Sequence, residues 1–242
     1  MKYSIIIPTL NEEKLLGNLL KDICTNGFQQ KYDYEVIVSD GGSQDKTIEI
    51  ANNFSDKVVT KDGEIKQNIA VGRNRGASQA KGEILIFLNA DIAIPDLQKF
   101  FDYIENKFYS SKYAAMTCRV MIFPNEARLV DKLFLTFYNF YFRMLNVLGV
   151  GMGRGECHIV KREIFDKLNG YNEKLAAGED FELFKNIKRI GKIHFANKIT
   201  IYESPRRYRK LGHWKIFYLW LANGIYVFFK KKALSREWEQ IR

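Results

Sequence analysis

The first 100 residues alternate short apolar runs with helical patterns, and this alternation constrains the fold more than any other feature of the sequence. The runs typical of buried strands are Tyr3–Pro8, Tyr34–Ser39, Lys57–Thr60 and Glu83–Leu88. Helical patterns between them begin at Asn11 and cover Thr47–Phe54 and Ile65–Ala80. Such alternation implies parallel strands joined by right-handed crossovers. We therefore predict an α/β fold whose ligands bind at the carboxyl ends of the strands.

The second half of the chain is less regular. Helices are predicted at Asp96–Tyr109 and Glu179–Ile190, and strands at Ala114–Ile122 and Ile193–Tyr202. The segment Leu133–Val150 is apolar and aromatic, and four glycines between residues 149 and 155 predict a mobile or tightly turned loop. A length of 242 residues fits one large domain, or a domain with an appendage.

The positive charge of the chain is concentrated at its end. The formal net charge is +10, but residues 1–100 carry 12 basic and 14 acidic side chains, whereas residues 206–242 carry 10 and 2. All three tryptophans, Trp214, Trp220 and Trp238, lie in that last segment. A near-neutral front and a basic, aromatic end predict different roles for the two regions.

An apolar run inside this end segment, Ile216–Phe229, has 14 residues. As a helix it would measure about 21 Å, shorter than the roughly 30 Å hydrocarbon core of a bilayer. Two alternatives remain open. The run packs against the protein or a second copy of it, or residues 206–232 lie in a membrane interface together with Leu133–Val150. Nucleic acid is not an expected partner, because no recognition motif accompanies the basic residues.

The cysteines and the first residues of the chain indicate the cellular compartment in which the protein is expected. Cys24, Cys118 and Cys157 are widely spaced, which is typical of small apolar side chains in a reducing compartment. The first residues do not match a signal peptide, because the apolar stretch before Pro8 is too short. We therefore expect a cytoplasmic protein, associated with the inner face of the cell membrane if the membrane alternative holds.

Polar residues collect where the predicted strands end, at Thr9 and Asn11, at Asp40–Ser43 and at Asn89–Asp91. The Asp91 carboxylate is suited to holding a divalent cation against a diphosphate, because Mg²⁺ binds one or two carboxylates together with phosphate oxygens. Helix capping is the alternative for this residue. An aspartate before two glycines, as at Asp40, is also typical of an ordinary turn.

Two further charged clusters lie in predicted helices. Arg73 stands between Gly72 and Gly76, and each glycine inside a helix costs about 1 kcal/mol relative to alanine. The glycines therefore indicate a close approach of the backbone, which leaves Arg73 to contact an anionic ligand or to face solvent. Glu179 and Asp180 begin a helix after small residues, a pattern that fits either a general base in a cleft or compensation of the helix dipole.

Four segments of the sequence occur in a characteristic order: SIIIPTLNEE, VIVSDGGSQDKT, GRNRGASQAKGEILIFLNAD and GYNEKLAAGEDFELFKNIKRIGKI. Together they resemble family-two glycosyltransferases with the GT-A fold, and SPRRYRKLGHWK is similar to a subgroup of small, single-domain bacterial and archaeal members. The resemblance implies a Rossmann-like, mixed but mostly parallel sheet with helices on both faces, plus a C-terminal helical appendage. It makes residues 1–205 the catalytic domain, with 1–100 for the nucleotide-sugar and 101–205 for the acceptor, and residues 206–242 a helical tail.

The resemblance also assigns roles to individual residues. Asp180, preceded by Glu179, matches the catalytic base of inverting members, and Asp91 matches the last acid of the metal-binding Asp-x-Asp motif, with Mg²⁺ or Mn²⁺ as the expected ion. Asn89 replaces the first acid of that motif, so the dependence on metal is an open point. The segment Gly155–His158 is expected at the acceptor-side floor. The residues expected to bind the nucleotide-sugar are Pro8, Thr9, Glu12, Asp40, Gly41, Ser43, Arg73, Asn89, Arg206 and Arg207.

These expectations describe an inverting glycosyltransferase that moves a sugar from a UDP- or GDP-linked donor to a glycan or lipid-linked acceptor of the cell envelope. The alternative is a nucleotide-binding or nucleotidyl-transferring protein of similar fold that transfers no sugar. Asn89 favours the alternative, whereas Glu179–Asp180 and Arg206–Arg207 favour the enzyme, because a nucleotide binder needs neither pair. A second copy of the chain is kept as a candidate partner.

Overall fold

The computed structural model describes residues 1–24, 27–61, 63 and 68–230, which form one mixed sheet with helices on both faces. The strands are β1 (Tyr3–Thr9), β2 (Tyr34–Asp40), β3 (Lys57–Val59), β4 (Ile84–Leu88), β5 (Ile92–Ala93), β6 (Tyr113–Ile122), β7 (Cys157–Lys161) and β8 (Lys192–Glu203). The helices are α1 (Leu16–Cys24), α2 (Phe28–Tyr32), α3 (Thr47–Phe54), α4 (Ile69–Ser78), α5 (Leu97–Ile104), α6 (Leu129–Val147), α7 (Arg162–Lys167), α8 (Glu179–Ile190), α9 (Arg206–Leu211) and α10 (His213–Lys230). A π-helical turn, Glu105–Tyr109, extends α5.

The strands of the described ranges are arranged in the order β3-β2-β1-β4-β7-β6-β8-β5. β1 pairs in parallel with β2 and β4, β3 in parallel with β2, and β6 in parallel with β8. β7 runs antiparallel between β4 and β6, and β5 runs antiparallel to β8. The predicted mixed, mostly parallel sheet is confirmed. β7 has no counterpart among the predicted strands, because the buried His158 interrupts its short apolar run.

Both faces of the sheet are covered, as parallel sheets require. Successive side chains of a strand point to opposite faces, so Ile5 and Ile7 of β1 pack under α1 and α5, while Ile6 belongs to the core under α4 and α8. The strands therefore have apolar residues on both sides. Polar residues are left to the strand ends, where the site is expected.

Helix α4 lies unusually close to β1. A Cβ atom added at Gly76 would overlap Cγ2 of Ile6, and one at Gly72 would lie 3.2 Å from Cβ of Pro8. The close backbone approach predicted from these glycines is confirmed. This close approach places Arg73, the residue after Gly72, against the strand ends. The predicted helix Ile65–Ala80 is observed from Ile69 to Ser78, and residues 65–67 lie outside the described ranges.

Helix α6 begins before the aromatic segment that starts at Leu133. Its first turn is stabilised because the backbone N–H of Arg128 donates to Oδ2 of Asp131 at 2.7 Å, which caps the helix start. The helix then runs to Val147, so all but the last three residues of the aromatic segment Leu133–Val150 lie in one long helix. This helix forms one wall of the site described below.

The predicted helical tail packs against α6. Arg209 and His213 both bond the buried Asp131 carboxylate, at 2.6 Å and 2.7 Å. The rings that join these helices are Phe134, Tyr138, Tyr208 and Trp220. The appendage is confirmed as helical over α9 and α10, while residues 231–242 lie outside the described ranges, and a domain boundary at residue 205 stays a prediction. Among the described residues, none of the helices has the length and apolar character needed to cross a membrane.

Candidate active site

A cavity of about 660 Å³ lies at the carboxyl ends of the strands. We call the side formed by strand ends and α8 the charged wall, lined by Arg73, Asn89, Asp91, Arg154, Glu156, Glu179, Asp180, Glu203 and Arg207. We call the other side the aromatic wall, lined by Phe137, Tyr138, Tyr141, Phe142, Leu145, Val150, Met152, Phe217, Trp220 and Leu221. The structure thus brings six predicted site residues together in one place: Arg73, Asn89, Asp91, Glu179, Asp180 and Arg207.

Arg73 lies deep in the charged wall and is 1% exposed. Its guanidinium donates to Oε1 of Glu179 at 2.8 Å, to Oδ1 of Asn89 at 3.1 Å and to the carbonyl of Gly155 at 2.7 Å. It also lies over the ring of Tyr171, 5.1 Å from the ring centre. The predicted arginine is therefore not on a solvated helix face. It holds together the segments that follow β4, precede β7 and begin α8.

Asp180 is the second residue of α8, which begins at Glu179 directly after Gly178, whose φ of 79° turns the chain into the helix. The carboxylate accepts the backbone N–H of Phe181 at 2.7 Å. Burial and the adjacent charge of Glu179 raise the pKa of Asp180 to about 7, against the opposing effect of Arg73. A carboxyl group with this pKa exchanges its proton near neutral pH, as a general base must.

Arg206 bridges two carboxylates at the edge of the charged wall. Its Nη2 donates to Oε2 of Glu12 at 2.7 Å, to Oε1 of the same residue at 3.0 Å, and to Oδ2 of Asp91 at 3.1 Å. Burial disfavours the charged guanidinium, but Asp91 and Glu12 outweigh this effect and raise the pKa of Arg206. An arginine of the tail is therefore bound to acids that follow β1 and β4.

The loop after β2 is organised around Asp40, which is fully buried. One carboxylate oxygen accepts the backbone N–H groups of Gly42 and Ser43, both at 2.8 Å, and the other accepts the hydroxyls of Thr9 at 3.0 Å and Ser43 at 2.5 Å. The N–H of Gly41 donates to the carbonyl of Thr9 at 2.8 Å. The predicted donor-binding residues placed at these strand ends, outside the cavity lining, are Pro8, Thr9, Asp40, Gly41 and Ser43. Their contacts with a donor stay predictions.

A buried cluster in the charged wall was not predicted from the sequence, although one member, Glu156, lies in the segment Gly155–His158 that was expected at the acceptor-side floor. Arg154, 2% exposed, donates to Glu156 at 3.1 Å and 3.2 Å and to Glu203 at 3.0 Å, and the hydroxyl of Tyr208 donates to Glu203 at 2.8 Å. Burial and the charge of Glu156 raise the pKa of Glu203 well above its usual value. Arg154 and Glu156, two charged residues in the glycine-rich segment Gly153–Glu156, could have indicated a polar cluster from the sequence. Glu203 and Tyr208, however, which complete the cluster, lie far away in the chain.

The residues around Asp91 fit a divalent cation bound through oxygen. The Asp91 side chain is 25% exposed, and its carboxylate and that of Glu12 face the same guanidinium group of Arg206. Asn89 does not add to this oxygen set, because its side-chain oxygen accepts from Arg73. Within the described ranges, no three His, Cys, Asp or Glu residues are grouped to hold a metal. Water and phosphate oxygens would therefore complete the coordination of a cation here.

The chain resembles curated proteins over part of their length. TarS, the poly(ribitol-phosphate) beta-N-acetylglucosaminyltransferase of Staphylococcus aureus, is 34% identical over 94 residues, which are 38% of this chain and 16% of TarS. The probable glycosyltransferase YdaM of Bacillus subtilis is 25% identical over 244 residues, which cover 95% of this chain and 56% of YdaM. This chain therefore spans little more than half of YdaM and a much smaller share of TarS.

Solved structures show the same fold. The mannosyltransferase PcManGT from Pyrobaculum calidifontis, in complex with GDP-Man and Mn²⁺, superposes with a TM-score of 0.67 at 21% identity, over 84% of this chain and 56% of that one. Glucosyl-3-phosphoglycerate synthase from Mycobacterium tuberculosis, in complex with Mn²⁺, UDP and phosphoglyceric acid, has a TM-score of 0.64 at 17% identity, over 95% and 78%. These matches confirm the predicted GT-A fold. The sequence model of glycosyl transferase family 2 matches residues 4–168, more than half of the chain, and the chain therefore belongs to glycosyl transferase family 2.

Proposed function

We propose that the protein is an inverting glycosyltransferase, which moves a sugar from a nucleotide-diphosphate donor to an acceptor hydroxyl. The observation that carries this proposal is that Asp91 and Asp180, from distant parts of the chain, line one cavity. One carboxylate is suited to the leaving diphosphate and the other to the attacking hydroxyl. The GDP-Man of PcManGT and the UDP of glucosyl-3-phosphoglycerate synthase support a GDP- or UDP-linked donor.

Asp180 is the general base in this mechanism. Its carboxylate takes the proton of the acceptor hydroxyl while the hydroxyl oxygen attacks the anomeric carbon, and the bond from that carbon to the diphosphate oxygen breaks on the opposite face. A single displacement of this kind inverts the configuration. Glu179 acts on this step through its charge, which raises the pKa of Asp180, and Arg73 holds Glu179 in place at 2.8 Å.

The leaving diphosphate is stabilised at the opposite edge of the charged wall. Asp91, with Glu12 beside it, would hold Mg²⁺ or Mn²⁺, which supplies positive charge to the diphosphate when bound. Arg207 lines the cavity, and Arg206 lies on the two carboxylates. In the donor-bound state we expect Arg206 to turn from Glu12 and Asp91 to the diphosphate oxygens, where developing negative charge is stabilised most.

The base in the cavity favours a hydroxyl over a phosphate as the attacking group. A hydroxyl needs a base to remove its proton, and the Asp180 carboxyl, with its pKa raised to about 7, lines the cavity where that base is required. A phosphate nucleophile would need no such group. The acceptor class therefore remains a glycan or a lipid-linked sugar that presents a free hydroxyl.

The glycosyltransferase proposal can be tested by measuring nucleotide release from a panel of UDP- and GDP-sugars. We expect release from at least one donor by the wild type with Mg²⁺ or Mn²⁺, and a loss of about 100-fold in Asp91→Ala, because the cation that would neutralise the leaving diphosphate loses its carboxylate ligand. Asp22→Asn is the matched control, because Asp22 is an exposed carboxylate on α1, remote from the cavity lining.

The second candidate function is nucleotide binding without sugar transfer, favoured by Asn89 in place of a motif acid. It predicts that nucleotides raise the melting temperature while no donor in the panel is cleaved. That combination would contradict the glycosyltransferase proposal. Equal loss of release in Asp91→Ala and Asp22→Asn would contradict the role given to Asp91.

A further inference from the structure

The aromatic wall offers a large apolar surface beside a polar reaction centre. It is built from α6 and α10, which meet through Tyr138 and Trp220 at 5.2 Å between ring centres. Arg154 lies over the Trp220 ring at 5.7 Å, so charged and aromatic walls are in direct contact. A sugar hydroxyl and a nucleotide do not require a wall of this kind. An acceptor with an apolar part would bury that part here, and the removal of its apolar surface from water would favour binding.

The outward faces of the same two helices are also apolar. On α6 six exposed apolar residues recur every three or four positions, at Leu129, Leu133, Phe137, Phe140, Met144 and Val147. The exposed apolar residues of α10 include Trp214, Tyr218 and Leu221. We call these nine residues the outer stripe. A stripe with this period ordinarily faces a protein core, whereas here Leu133, Phe140 and Trp214 are 64%, 60% and 75% exposed.

The outer stripe is continuous with the cavity. Phe137 and Leu221 belong to both, because each lines the cavity and is exposed outside it. The ring of Phe137 touches Tyr138, which touches Phe217, which in turn touches Tyr218, with ring centres 5.5–6.1 Å apart. The apolar surface therefore continues from the outer stripe to the lining of the cavity.

The charge around the outer stripe is positive. Helices α6, α9 and α10 contain a single acidic residue, Asp131, which is 1% exposed and bonded to Arg209 and His213. Exposed cations on the two stripe-bearing helices include Lys132, Arg143 and Lys215. Apolar side chains bordered by cations complement the surface of a bilayer that contains anionic lipid.

We propose that the outer stripe rests on an anionic lipid bilayer and that the cavity takes from it an acceptor with an apolar tail. The tail lies along the aromatic wall, and the hydroxyl at the other end of the acceptor reaches Asp180. The assignment of the hydroxyl rests on the proposed function. The binding of bilayer and tail does not, so it can be measured without any sugar transfer.

Co-sedimentation with vesicles tests the surface. We expect the full chain to bind vesicles of phosphatidylcholine with phosphatidylglycerol more tightly than vesicles of phosphatidylcholine alone. Leu133→Gln combined with Phe140→Gln should weaken binding to the anionic vesicles about tenfold, because two large apolar groups no longer enter the interface. Ile190→Gln is the control, since Ile190 is 42% exposed at the end of α8, outside the stripe.

Calorimetry with two soluble glucosides tests the cavity. Dodecyl glucoside, below its micelle concentration, should bind more tightly than methyl glucoside, which shares its head group but lacks the tail. Leu145→Trp fills the aromatic wall and should weaken dodecyl glucoside binding about tenfold, while vesicle binding is unchanged. Met152→Trp repeats this test at a second lining position, in case the first variant does not fold.

Several results would overturn the proposal. They are equal binding to both kinds of vesicle or to neither, vesicle binding unaffected by the double variant, or equal affinity for both glucosides. Sedimentation velocity can also overturn the proposal. If the wild type is a dimer and the double variant is a monomer, the outer stripe binds a second copy of the chain instead of a bilayer. Failure of the proposed function looks different: the vesicles and dodecyl glucoside bind as expected, but no nucleotide-sugar is cleaved.

Discussion

Two aspartates at the start of helices occupy opposite surroundings in this molecule. Asp131 lies in the first turn of α6 and receives hydrogen bonds from Arg209, His213 and a backbone N–H. Burial raises its pKa, but these bonds outweigh burial and lower the pKa to about 2. Asp180 lies in the first turn of α8 and faces the cavity, where burial and the charge of Glu179 raise its pKa to about 7.

The comparison shows how partners, rather than position on a helix, decide what a carboxylate does. Both residues lie in the first helical turn, where the helix dipole favours negative charge. Asp131 has a cationic partner, Arg209, and joins α6 to the tail helices. Asp180 has an anionic neighbour, so its charged form is disfavoured and its proton becomes exchangeable. The charge of Asp131 therefore stabilises the fold, whereas the charge of Asp180 is unfavourable in the folded state but useful for proton transfer.

The largest expected effect is the loss of sugar transfer in Asp180→Asn. The amide cannot accept the acceptor proton, so we expect kcat to fall by about 10²–10⁴-fold, the usual contribution of a general base. In the wild type, activity should rise with pH through about 7, because the base works only when deprotonated. Initial rates between pH 5 and 9 measure both. Substantial transfer by the variant would argue for an anionic, phosphate-type nucleophile that needs no base.

The next effect is a loss of stability in Asp131→Asn. The folded pKa of about 2 lies below the unfolded value of 3.8, so the carboxylate stabilises the fold at higher pH and loses this contribution as the pH falls from about 4 to 2. We expect the variant to lose about 2 kcal/mol of unfolding free energy at pH 7. Urea titrations at pH 7 and pH 3 measure the difference, which should shrink at the lower pH. A constant difference would contradict the assigned pKa.

The smallest expected effect is a gain in stability in Asp180→Asn, opposite in sign to the loss expected in Asp131→Asn. The folded pKa of about 7 lies above the unfolded value of 3.8, so the carboxyl costs nothing below pH 4 and costs progressively more until about pH 7. Replacing it should add about 1 kcal/mol at pH 8 and nothing at pH 4, with allowance for its exposure to the cavity. Thermal unfolding at the two pH values tests this. A variant less stable than wild type at pH 8 would show that Asp180 is instead a structural residue.

Much of the fold and part of the site followed from local patterns. Helix α8 begins at Glu179, as predicted, because small residues and a glycine precede two acids. Gly72 and Gly76 indicated a close backbone approach, because two glycines inside a helix are costly, and the structure places that approach between α4 and β1. The polar residues at the strand ends were predictable because each follows an apolar run, Asp40 directly and Asp91 three positions after Leu88.

The parts that were not predictable depend on contacts between distant residues. The bond from Arg154 to Glu203 joins residues 49 positions apart, and neither residue carries a local signal for the other. Strand β7 is held by its neighbours β4 and β6 rather than by a strong pattern of its own. For α6, apolar residues occur around most of the helix, so the sequence left open both what covers them and which face packs against the protein.

By itself, the sequence determined the alternation of strands and helices, the polar residues at the strand ends and the family, because each rests on residues close together in the chain. Only the tertiary structure decided that Arg206 of the basic tail meets Glu12 and Asp91, 194 and 115 positions away. It also decided that the outer stripe of α6 faces outward while Leu135 and Tyr138 face α10. The physical reason is that charge pairing and burial are properties of neighbours in space, which the folded chain alone brings together.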